Sequence, residues 1–452
     1  MSASLLTSSA TPLLLQAPTV PAVPRWPVIV AALVIGSAFF FSEHNVSISL
    51  ADAYTQTAEE MEITASGGNA IRRVAFLLIA CTGIALAATG GERLRINAPL
   101  LAAIASTLAW AVISITWADE PGICLRRLIV LVCCAIGALG VARRLSMRDL
   151  CGLTIAVLGT LAIVGILAEI RVGTFRPWAG DYRFAGTVHP NTQGPALAAV
   201  CLAALGLFQS SARGKLWYGA IFAVALGLLI LTKSRSSTAG VVLAIGAVLA
   251  VQTSLRWKAL VGAAGIWLGC LCVWLVLAAG VDPLRDYSDA LLLGRSSESE
   301  TLSGRAFIWP QVGYFILQRP LIGYGYEAFW TPSRIETVSE ALGWGLREAH
   351  NAYLEMLLWL GLIGLALTLL VVALGLVASI RGYLKRRDPA YALPLGMLIF
   401  GILNAGLESG IVGVELVTLI LGCCLLRLAL FDGLANVGNY RGLVASGNTN
   451  DK

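Results

Sequence analysis

Long runs of apolar residues, separated by short polar segments, recur from one end of the chain to the other. A run of about 20 apolar residues makes a helix long enough to cross the hydrocarbon core of a bilayer. The runs do not alternate between apolar and polar positions as the strands of a membrane β-barrel do. The pattern therefore predicts an all-α polytopic integral membrane protein. We place about 12 transmembrane helices near residues 27–50, 72–90, 98–117, 128–142, 150–169, 193–209, 217–232, 238–254, 259–280, 351–380, 390–407 and 410–430.

The composition supports this fold class. Hydrophobic residues make up 57% of the chain and charged residues 13%, whereas a soluble domain carries about 25% charged residues. The 10 cysteines lie mostly inside apolar runs, as in "LVCCAIGALG", and their spacing is not that of a zinc site. We therefore expect no metal and no cofactor.

The distribution of charge along the chain predicts its orientation. With the N-terminus in the cytoplasm, the inner loops "GERLRIN", "RRLSMRD", "SSARGKL", "SLRWK" and "RGYLKRRDP" are all net basic, as cytoplasmic loops usually are. The outer segment 51–70 is acidic instead. The net charge of +6 is explained by these inner loops, so it does not indicate a nucleic acid partner.

This orientation divides the chain into five parts. Residues 1–26 form a cytoplasmic tail, 27–280 carry the first nine helices, 281–350 form a periplasmic loop domain, 351–430 carry the last three helices, and 431–452 form a second cytoplasmic tail. The loop domain contains tryptophans, tyrosines and glycines rather than the repeats of a flexible linker. Long ordered loops on a rigid scaffold often carry function.

Two features of the predicted loop domain have a structural interpretation. The segment "SGRAFIWPQVGYFILQRP" predicts a short amphipathic helix in the membrane interface, broken at Pro310. Asp282, Asp286 and Asp289 open the loop at spacings that put them on one helical face. We interpret these aspartates as a solvated face, with a divalent-ion site as the alternative.

Several cationic residues fall on the predicted outer side, next to apolar runs. They are Arg171, Arg176, Arg183, His189, Lys233, Arg235 and Arg305. An arginine near the hydrocarbon costs on the order of a few kcal/mol and is usually retained for a partner. For Arg171 and Arg176 we favour snorkelling to lipid head groups.

Lys233 and Arg235 have a different setting. In "LLILTKSRSSTAG" they lie in a turn too short to leave the membrane rim, with no acidic residue nearby in the sequence. The planar fork of an arginine binds phosphate oxygens in bidentate fashion. Convergent outer arginines therefore indicate an anionic ligand, such as a lipid phosphate or diphosphate.

His350 ends the outer loop, directly before an apolar run, in "AHNAYLEMLLWLGLIGL". A histidine at a helix start is more often a cap or an interfacial hydrogen-bonding residue than a catalyst. Its place beside Asn351 and Tyr353, at the end of a long loop and on the side of the outward arginines, favours catalysis. An imidazole can take a proton from a sugar hydroxyl at neutral pH, so we predict that His350 is a general base.

Four segments together resemble a known family. They are "RFAGTVHPNTQG", "LTKSRSSTAG", "SGRAFIWPQVGYFILQRPLIGYGYEAFW" and "AHNAYLEMLLWLGLIGL". In this order and spacing they resemble the O-antigen ligase and Wzy-type polymerase family of bacterial inner membranes, over roughly residues 180–370. The motifs "RFAGTVHPNTQG" and "GYGYEAFW" are most similar to the branch of exopolysaccharide production proteins.

The resemblance implies a GT-C-like, metal-independent glycosyltransferase with its active site on the periplasmic face of the bacterial inner membrane. Arg183 and Arg235 would hold the diphosphate of an undecaprenyl-diphosphate-linked glycan, and His350 would activate the acceptor hydroxyl. Arg305 would organise the loop or contact the donor glycan. The predicted substrate-binding set also includes Lys233, His189 and Asn351.

The preferred activity is polymerisation of exopolysaccharide or O-antigen repeat units. Ligation of the glycan to lipid A–core is the close alternative, because both activities share these motifs. The expected partners are the lipid-linked donor, an acceptor glycan or lipid A–core, the bilayer and other polysaccharide-export proteins, and no nucleic acid.

A transporter or flippase is the alternative from another class. Glu169, Glu355, Glu408 and Glu415 lie in or beside apolar runs and would suit a proton path. They would equally suit hydrogen bonds between helices, which we prefer for Glu415, while Glu355 stays open. Charge gathers at the outer rim rather than at the midplane, where transporters bind substrate. A purely structural scaffold would leave the outer arginines unexplained.

The predicted topology can be tested by labelling. Cysteines introduced at Ser297 and Ser333 should react with an impermeant reagent in whole spheroplasts, because both positions lie in the outer loop. Labelling only after the membrane is permeabilised would reverse the arrangement.

Overall fold

The computed structural model describes residues 26–43, 70–211, 213–252, 300–342, 346, 348–410 and 412–433. This part of the chain contains helices and turns and no strand. Its α-helices, in chain order, are α1 (Trp26–Glu43), α2 (Ala70–Ala88), α3 (Ala98–Ile113), α4 (Pro121–Arg144), α5 (Met147–Val172), α6 (Pro190–Ser210), α7 (Lys215–Leu231), α8 (Arg235–Gln252), α9 (Glu300–Gln318), α10 (Pro332–Leu342), α11 (Ala352–Lys385), α12 (Ala392–Asn404) and α13 (Leu416–Leu430). Short 3-10 turns follow α3 (Ser114–Thr116) and precede α12 (Pro389–Tyr391).

The apolar helices confirm a multi-pass membrane protein. Six of them, α2 to α6 and α11, are long and apolar enough to cross a bilayer. Five more, α1, α7, α8, α12 and α13, are apolar over 10–17 residues. These helices correspond to the predicted spans, except that the predicted span at 259–280 lies outside the described residues.

Two predicted helix starts and one predicted helix break are wrong. Helix α4 begins at Pro121 rather than near 128, and it includes Arg127, which lies 3.5 Å from a carboxyl oxygen of Glu327. Helix α13 begins at Leu416 rather than near 410, because Glu415 forms a capping box with Thr418. Helix α9 continues through Pro310 instead of breaking there.

The connections between helices gather at two ends of the bundle. One end, which we call the Asp432 end, is tied by buried charges. The Arg427 guanidinium donates to the carbonyls of Ala142 and Leu145 at 3.2 and 2.7 Å, and it lies 3.3 Å from the Asp432 carboxylate. Tyr391 donates its hydroxyl to the same carboxylate at 2.7 Å. The opposite end, the His350 end, contains the turns that carry the predicted site.

The first half of α11 belongs to a second apolar core at the His350 end. This core includes Ile308 and Val312 of α9, Val338 of α10, and Leu358 and Leu360 of α11. Helices α9 and α10 of the predicted loop domain are therefore packed elements. Burial of Ile308 and Val312 on either side of Pro310 gives a reason for α9 to continue.

Helix α11 is broken at Gly361, where φ is 66° and ψ is −166°. This conformation is essentially restricted to glycine. The segment before α10 enters the break and bonds to its freed backbone groups. Tyr324 N and Gly325 N donate to the carbonyls of Leu358 and Trp359 at 2.8 and 2.9 Å, and Leu362 N donates to Pro320 O at 2.8 Å. The indole N–H of Trp110 donates to Leu360 O at 3.1 Å.

The break is required by the dimensions of the neighbouring helix. Near one end of α11, Ala352 N donates to Ala405 O, just past α12, at 2.8 Å. Towards the other end, a Cβ on Gly382 would lie 2.4 Å from the ring of Tyr391, just before α12. A straight helix from Ala352 to Gly382 would extend about 45 Å, whereas Tyr391 to Ala405 extends about 21 Å. The break lets α11 turn back and brings its first residue to the end of α12.

We predict that Gly361→Ala destabilises the fold by at least about 3 kcal/mol, the upper range for a strained backbone position. The added methyl group would lie 2.2 Å from the backbone carbon of Leu321. Thermal unfolding in detergent measures the change. Gly313→Ala in α9 is the matched control, because no atom lies within 4 Å of its Cβ position. Equal melting temperatures for the two variants would show that the break is not needed.

Candidate active site at the His350 end

The loop between α5 and α6 is fixed by a buried carboxyl group. Glu169 accepts hydrogen bonds from the Tyr182 hydroxyl at 2.5 Å and from the backbone N–H groups of Ala185 and Gly186 at 2.9 and 2.7 Å. Gly186 has a φ of 67°, and a Cβ on Gly165 of α5 would lie 2.8 Å from its Cα. Burial, and then the bond to Glu169, raise the pKa of Tyr182. The loop backbone therefore lies directly on α5.

This loop presents Arg183, which is half-buried and bridges two elements. Its Nε donates to the carbonyl of Thr232 at 3.1 Å, just past α7. Its terminal nitrogen Nη2 donates to the amide oxygen of Asn191 in α6 at 3.2 Å. The amide nitrogen of Asn191 in turn donates to the Glu408 carboxylate at 3.0 Å. One asparagine side chain thus joins the arginine to the segment after α12.

Two other predicted ligand-binding residues have structural contacts. His189 is the N-cap of α6, and its Nδ1 accepts from Asn191 N at 3.1 Å. Lys233 has a φ of 52° and donates its Nζ to the carbonyl of Gly180 in the Arg183 loop. We had predicted both as substrate-binding residues. Their contacts in the structure are those of a helix cap and a loop tie.

Arg235 differs from these residues. It is the first residue of α8 and is half-buried. Among the residues that the structure describes, it forms no hydrogen bond and no ion pair. Arg235 follows Thr232, the residue whose carbonyl accepts from Arg183, by three positions in the chain.

His350 lies between two fixed neighbours. The N–H of Ala349 donates to Glu355 Oε1 at 2.5 Å, and the carbonyl of Ala349 accepts from the Trp309 indole at 3.2 Å. His350 itself has a φ of 49°, in the left-handed region that side chains other than those of glycine rarely adopt. Its side chain is 29% exposed, and Nδ1 lies 3.2 Å from Glu348 Oε1. The imidazole is thus accessible on a rigid backbone.

Asn351, rather than His350, is the N-cap of α11. Its side-chain oxygen accepts from two backbone N–H groups of the first turn at 3.0 and 3.1 Å. Its side-chain nitrogen donates to Gly406 O at 3.1 Å, and its backbone N–H donates to the Ser409 hydroxyl at 3.1 Å. The alternative that His350 is a helix cap is therefore wrong. Asn351 positions the start of α11 against the segment after α12.

These contacts form one continuous group at the His350 end. Ala352 N lies 3.2 Å from the carbonyl of Glu408, whose carboxylate accepts from Asn191. We use the term rim site for Arg183, Asn191, Lys233, Arg235, His350, Asn351 and Glu408. Sequence reasoning did not assign Asn191 to the site and considered Glu408 only for a proton path. The position of Asn191 in "HPN", two residues after His189, was the available signal.

Arg305 belongs to α9, four residues before Trp309, the residue whose indole contacts Ala349. Its side chain lies outside the described residues. Within those residues, no three His, Cys, Asp or Glu side chains form a group able to hold a metal ion. The predicted aspartates Asp282, Asp286 and Asp289 also lie outside the described part.

The acidic residues considered for a proton path have other contacts in the structure. Glu169 and Glu355 accept from backbone N–H groups of the two site loops. Glu408 accepts from Asn191, and Glu415 caps α13. All of them lie near the His350 end rather than at the middle of a span. The arrangement favours a rigid rim over a path through the bundle.

The chain is similar in sequence to known proteins. Residues 220–369 match the family model described as O-antigen ligase. The chain is also 31% identical over 313 residues to the exopolysaccharide production protein ExoQ of Rhizobium meliloti (strain 1021), a match covering 65% of this chain and 67% of that protein. The range matched by the family model contains Lys233, Arg235, Arg305, His350 and Asn351.

Proposed function

Because the chain belongs to the O-antigen ligase family, we propose that it polymerises lipid-linked exopolysaccharide repeat units at the periplasmic face of the bacterial inner membrane. The family membership makes the chain a multi-pass membrane protein with a role as a polysaccharide polymerase or ligase. The observation that carries the finer proposal is the rim site. Cationic side chains from two separate turns lie at the end of the bundle where His350 is held on a rigid backbone.

Arg183 and Arg235 bind the diphosphate of the donor in this proposal. The donor is a glycan on undecaprenyl diphosphate, whose lipid chain stays in the bilayer. Arg235 starts α8, so the positive end of the helix dipole adds to its charge. Arginine donors aimed at a leaving diphosphate stabilise the charge that develops on it as the glycosidic bond breaks. Arg305 serves the donor glycan or the loop.

His350 acts as the general base. The acceptor hydroxyl gives its proton to the imidazole while its oxygen attacks the anomeric carbon of the donor sugar. The bond between that carbon and the diphosphate oxygen breaks, and the diphosphate leaves with the electron pair. The protonated imidazole then returns its proton to solvent. The arginines neutralise the leaving group, so the proposed reaction proceeds without a metal ion.

The other predicted site residues take supporting roles. His189 caps the helix that carries Asn191, and Lys233 fixes the loop that carries Arg183. Asn351, the residue after the base, is itself fixed to the carbonyl of Gly406. We propose that these residues position the binding groups, with contact to substrate through atoms that these bonds leave available. Substitution of any of them is expected to weaken activity less than substitution of Arg235 or His350.

Ligation to lipid A–core is the alternative activity of the same site. Both reactions need the same diphosphate clamp and the same base, and they differ in the acceptor. Similarity to an exopolysaccharide production protein over 313 residues supports polymerisation. The family model described as O-antigen ligase supports ligation. We favour polymerisation because the identity extends over about twice the length of the family match.

Arg235 provides a direct test of the diphosphate clamp. Arg235→Ala should lower kcat/KM for the lipid-linked donor by about 100- to 1,000-fold, the effect of removing one charged donor from a leaving-group site. Arg235→Lys keeps the charge but loses the bidentate fork, so a clear defect should remain. Arg176→Ala is the control, because Arg176 is exposed in the nearby loop. Wild-type kinetics in both Arg235 variants would contradict the proposal that Arg235 binds the diphosphate.

The acceptor is tested with purified protein and one lipid-diphosphate-linked repeat unit, without core lipid. A polymerase should produce a ladder of longer lipid-linked glycans. His350→Ala should lower the rate by about two to four orders of magnitude, the usual range for a lost general base. Transfer that occurs only when core lipid is added would make the protein a ligase. Near-native activity of His350→Ala would end the assignment of the base.

A further inference from the structure

We infer that two buried carboxyl groups, Glu169 and Glu355, are positioning residues for the two halves of the rim site, Glu169 for the diphosphate clamp and Glu355 for the base. The inference rests on the proposed function, because it assigns each carboxyl group to one of the proposed roles. Both side chains are almost fully buried, at 3% and 1% exposure. Burying a carboxyl group is unfavourable unless its oxygens accept hydrogen bonds. The donors bonded to those oxygens therefore indicate which part of the chain the carboxyl group positions.

The carboxylate oxygens of Glu169 accept hydrogen bonds from the Arg183 loop. Two of its donors are the consecutive backbone N–H groups of Ala185 and Gly186, and the third is the hydroxyl of Tyr182. These residues lie on both sides of Arg183 in the chain. The carboxyl group therefore fixes the backbone that carries the guanidinium.

Glu355 has the same relation to His350. It accepts from Ala349 N, the residue before the base, and from the Trp330 indole, which reaches both of its oxygens at 3.1 Å. Trp309 holds the carbonyl of Ala349 from the other side at 3.2 Å. The backbone N–H and the carbonyl of Ala349 therefore both have hydrogen-bond partners. They support the left-handed conformation at His350, which costs on the order of 1–2 kcal/mol elsewhere.

The two carboxyl groups should have different kinetic effects because they serve different steps. A base acts only in the chemical step, so its displacement lowers kcat and leaves donor binding almost unchanged. A displacement of about 1 Å in a catalytic group can lower the rate about 100-fold. The clamp acts both when the donor binds and when the diphosphate leaves, so its displacement raises KM for the donor as well as lowering kcat. A merely structural role would change the amount of folded protein and leave the kinetic constants of the folded fraction alone.

We expect Glu355→Ala to lower kcat about 100-fold with the donor KM within threefold of wild type. We expect Glu169→Ala to raise the donor KM at least tenfold, a change that Glu355→Ala does not produce. Glu355→Gln and Glu169→Gln retain an acceptor oxygen and should recover most of each loss. Each residue is the matched control for the other. Ser379→Ala is a further control, since its buried hydroxyl bonds to Gly375 O at the other side of the α11 break.

Milder variants keep the test valid if an alanine variant does not fold. Trp330→Phe removes the indole donor to Glu355 but leaves Ala349 N, and Tyr182→Phe removes the hydroxyl donor to Glu169 but leaves two backbone donors. Trp330→Phe should lower kcat and Tyr182→Phe should raise the donor KM, each by about three- to tenfold, the effect of one hydrogen bond. Melting temperatures of all variants are measured in the same detergent to report the folded fraction.

The outcomes separate this inference from the proposed function. His350→Ala and Arg183→Ala are assayed in parallel with the same lipid-diphosphate-linked repeat unit. If neither of these changes the kinetics, the proposed function fails. If both do, but the Glu355 and Glu169 variants keep wild-type constants or lose activity only in proportion to folded protein, the positioning roles alone are wrong. The positioning roles are supported if the Glu355 variants lose kcat at an unchanged donor KM and the Glu169 variants raise the donor KM.

Discussion

The break in α11 at Gly361 is the constraint on which the site depends. A helix of this length would pass beyond the end of α12 if it were straight, and the residues before it would lie far from the bundle. The break returns Ala352 to a 2.8 Å bond with Ala405. Because Asn351 then caps the helix against Gly406 and Ser409, His350 is delivered to the same rim as Asn191 and Glu408. The position of His350 at this rim therefore depends on the break at Gly361.

A broken helix in an apolar protein is stable only when its freed backbone groups find partners. Residues 320–325 and the indole of Trp110 supply them, and two glycines at positive φ, Gly323 and Gly325, make the approach possible. A Cβ on Gly323 would lie 2.7 Å from the Leu358 carbonyl, and one on Gly325 would lie 2.6 Å from Ala118 Cβ. The pattern "GYGYEAFW", which sequence analysis linked to a family, thus has a physical reason. Its glycines allow backbone to contact backbone.

Sequence reasoning could predict those features that depend on local patterns. Apolar runs placed the helices because the membrane requires a continuous apolar length, and "HN" before such a run marked a helix start at a functional rim. The break at Gly361 could not be predicted, since "WLGLIGL" reads as uninterrupted apolar helix and its cause is a segment about forty residues earlier. Arg183 is linked through Asn191 to Glu408, and Asn191 and Glu408 are 217 positions apart in the chain. Periodicity within one helix carries no information about such a contact.

The arginines at the His350 end are held in two different ways. Arg319 and Arg334 both pair with the carboxylate of Asp119 and lie over the ring of Tyr324, at 4.8 and 4.4 Å from its centroid. The two guanidinium groups share one carboxylate, and they lock the segment that fills the α11 break. The bonds from Arg183 to the Thr232 carbonyl and the Asn191 amide are to neutral acceptors. Such bonds fix the direction of a guanidinium, and a guanidinium held in one direction has the geometry for a bidentate contact with a phosphate group. The same fold thus fixes Arg319 and Arg334 through one shared carboxylate and orients Arg183 through bonds that join two turns at the His350 end.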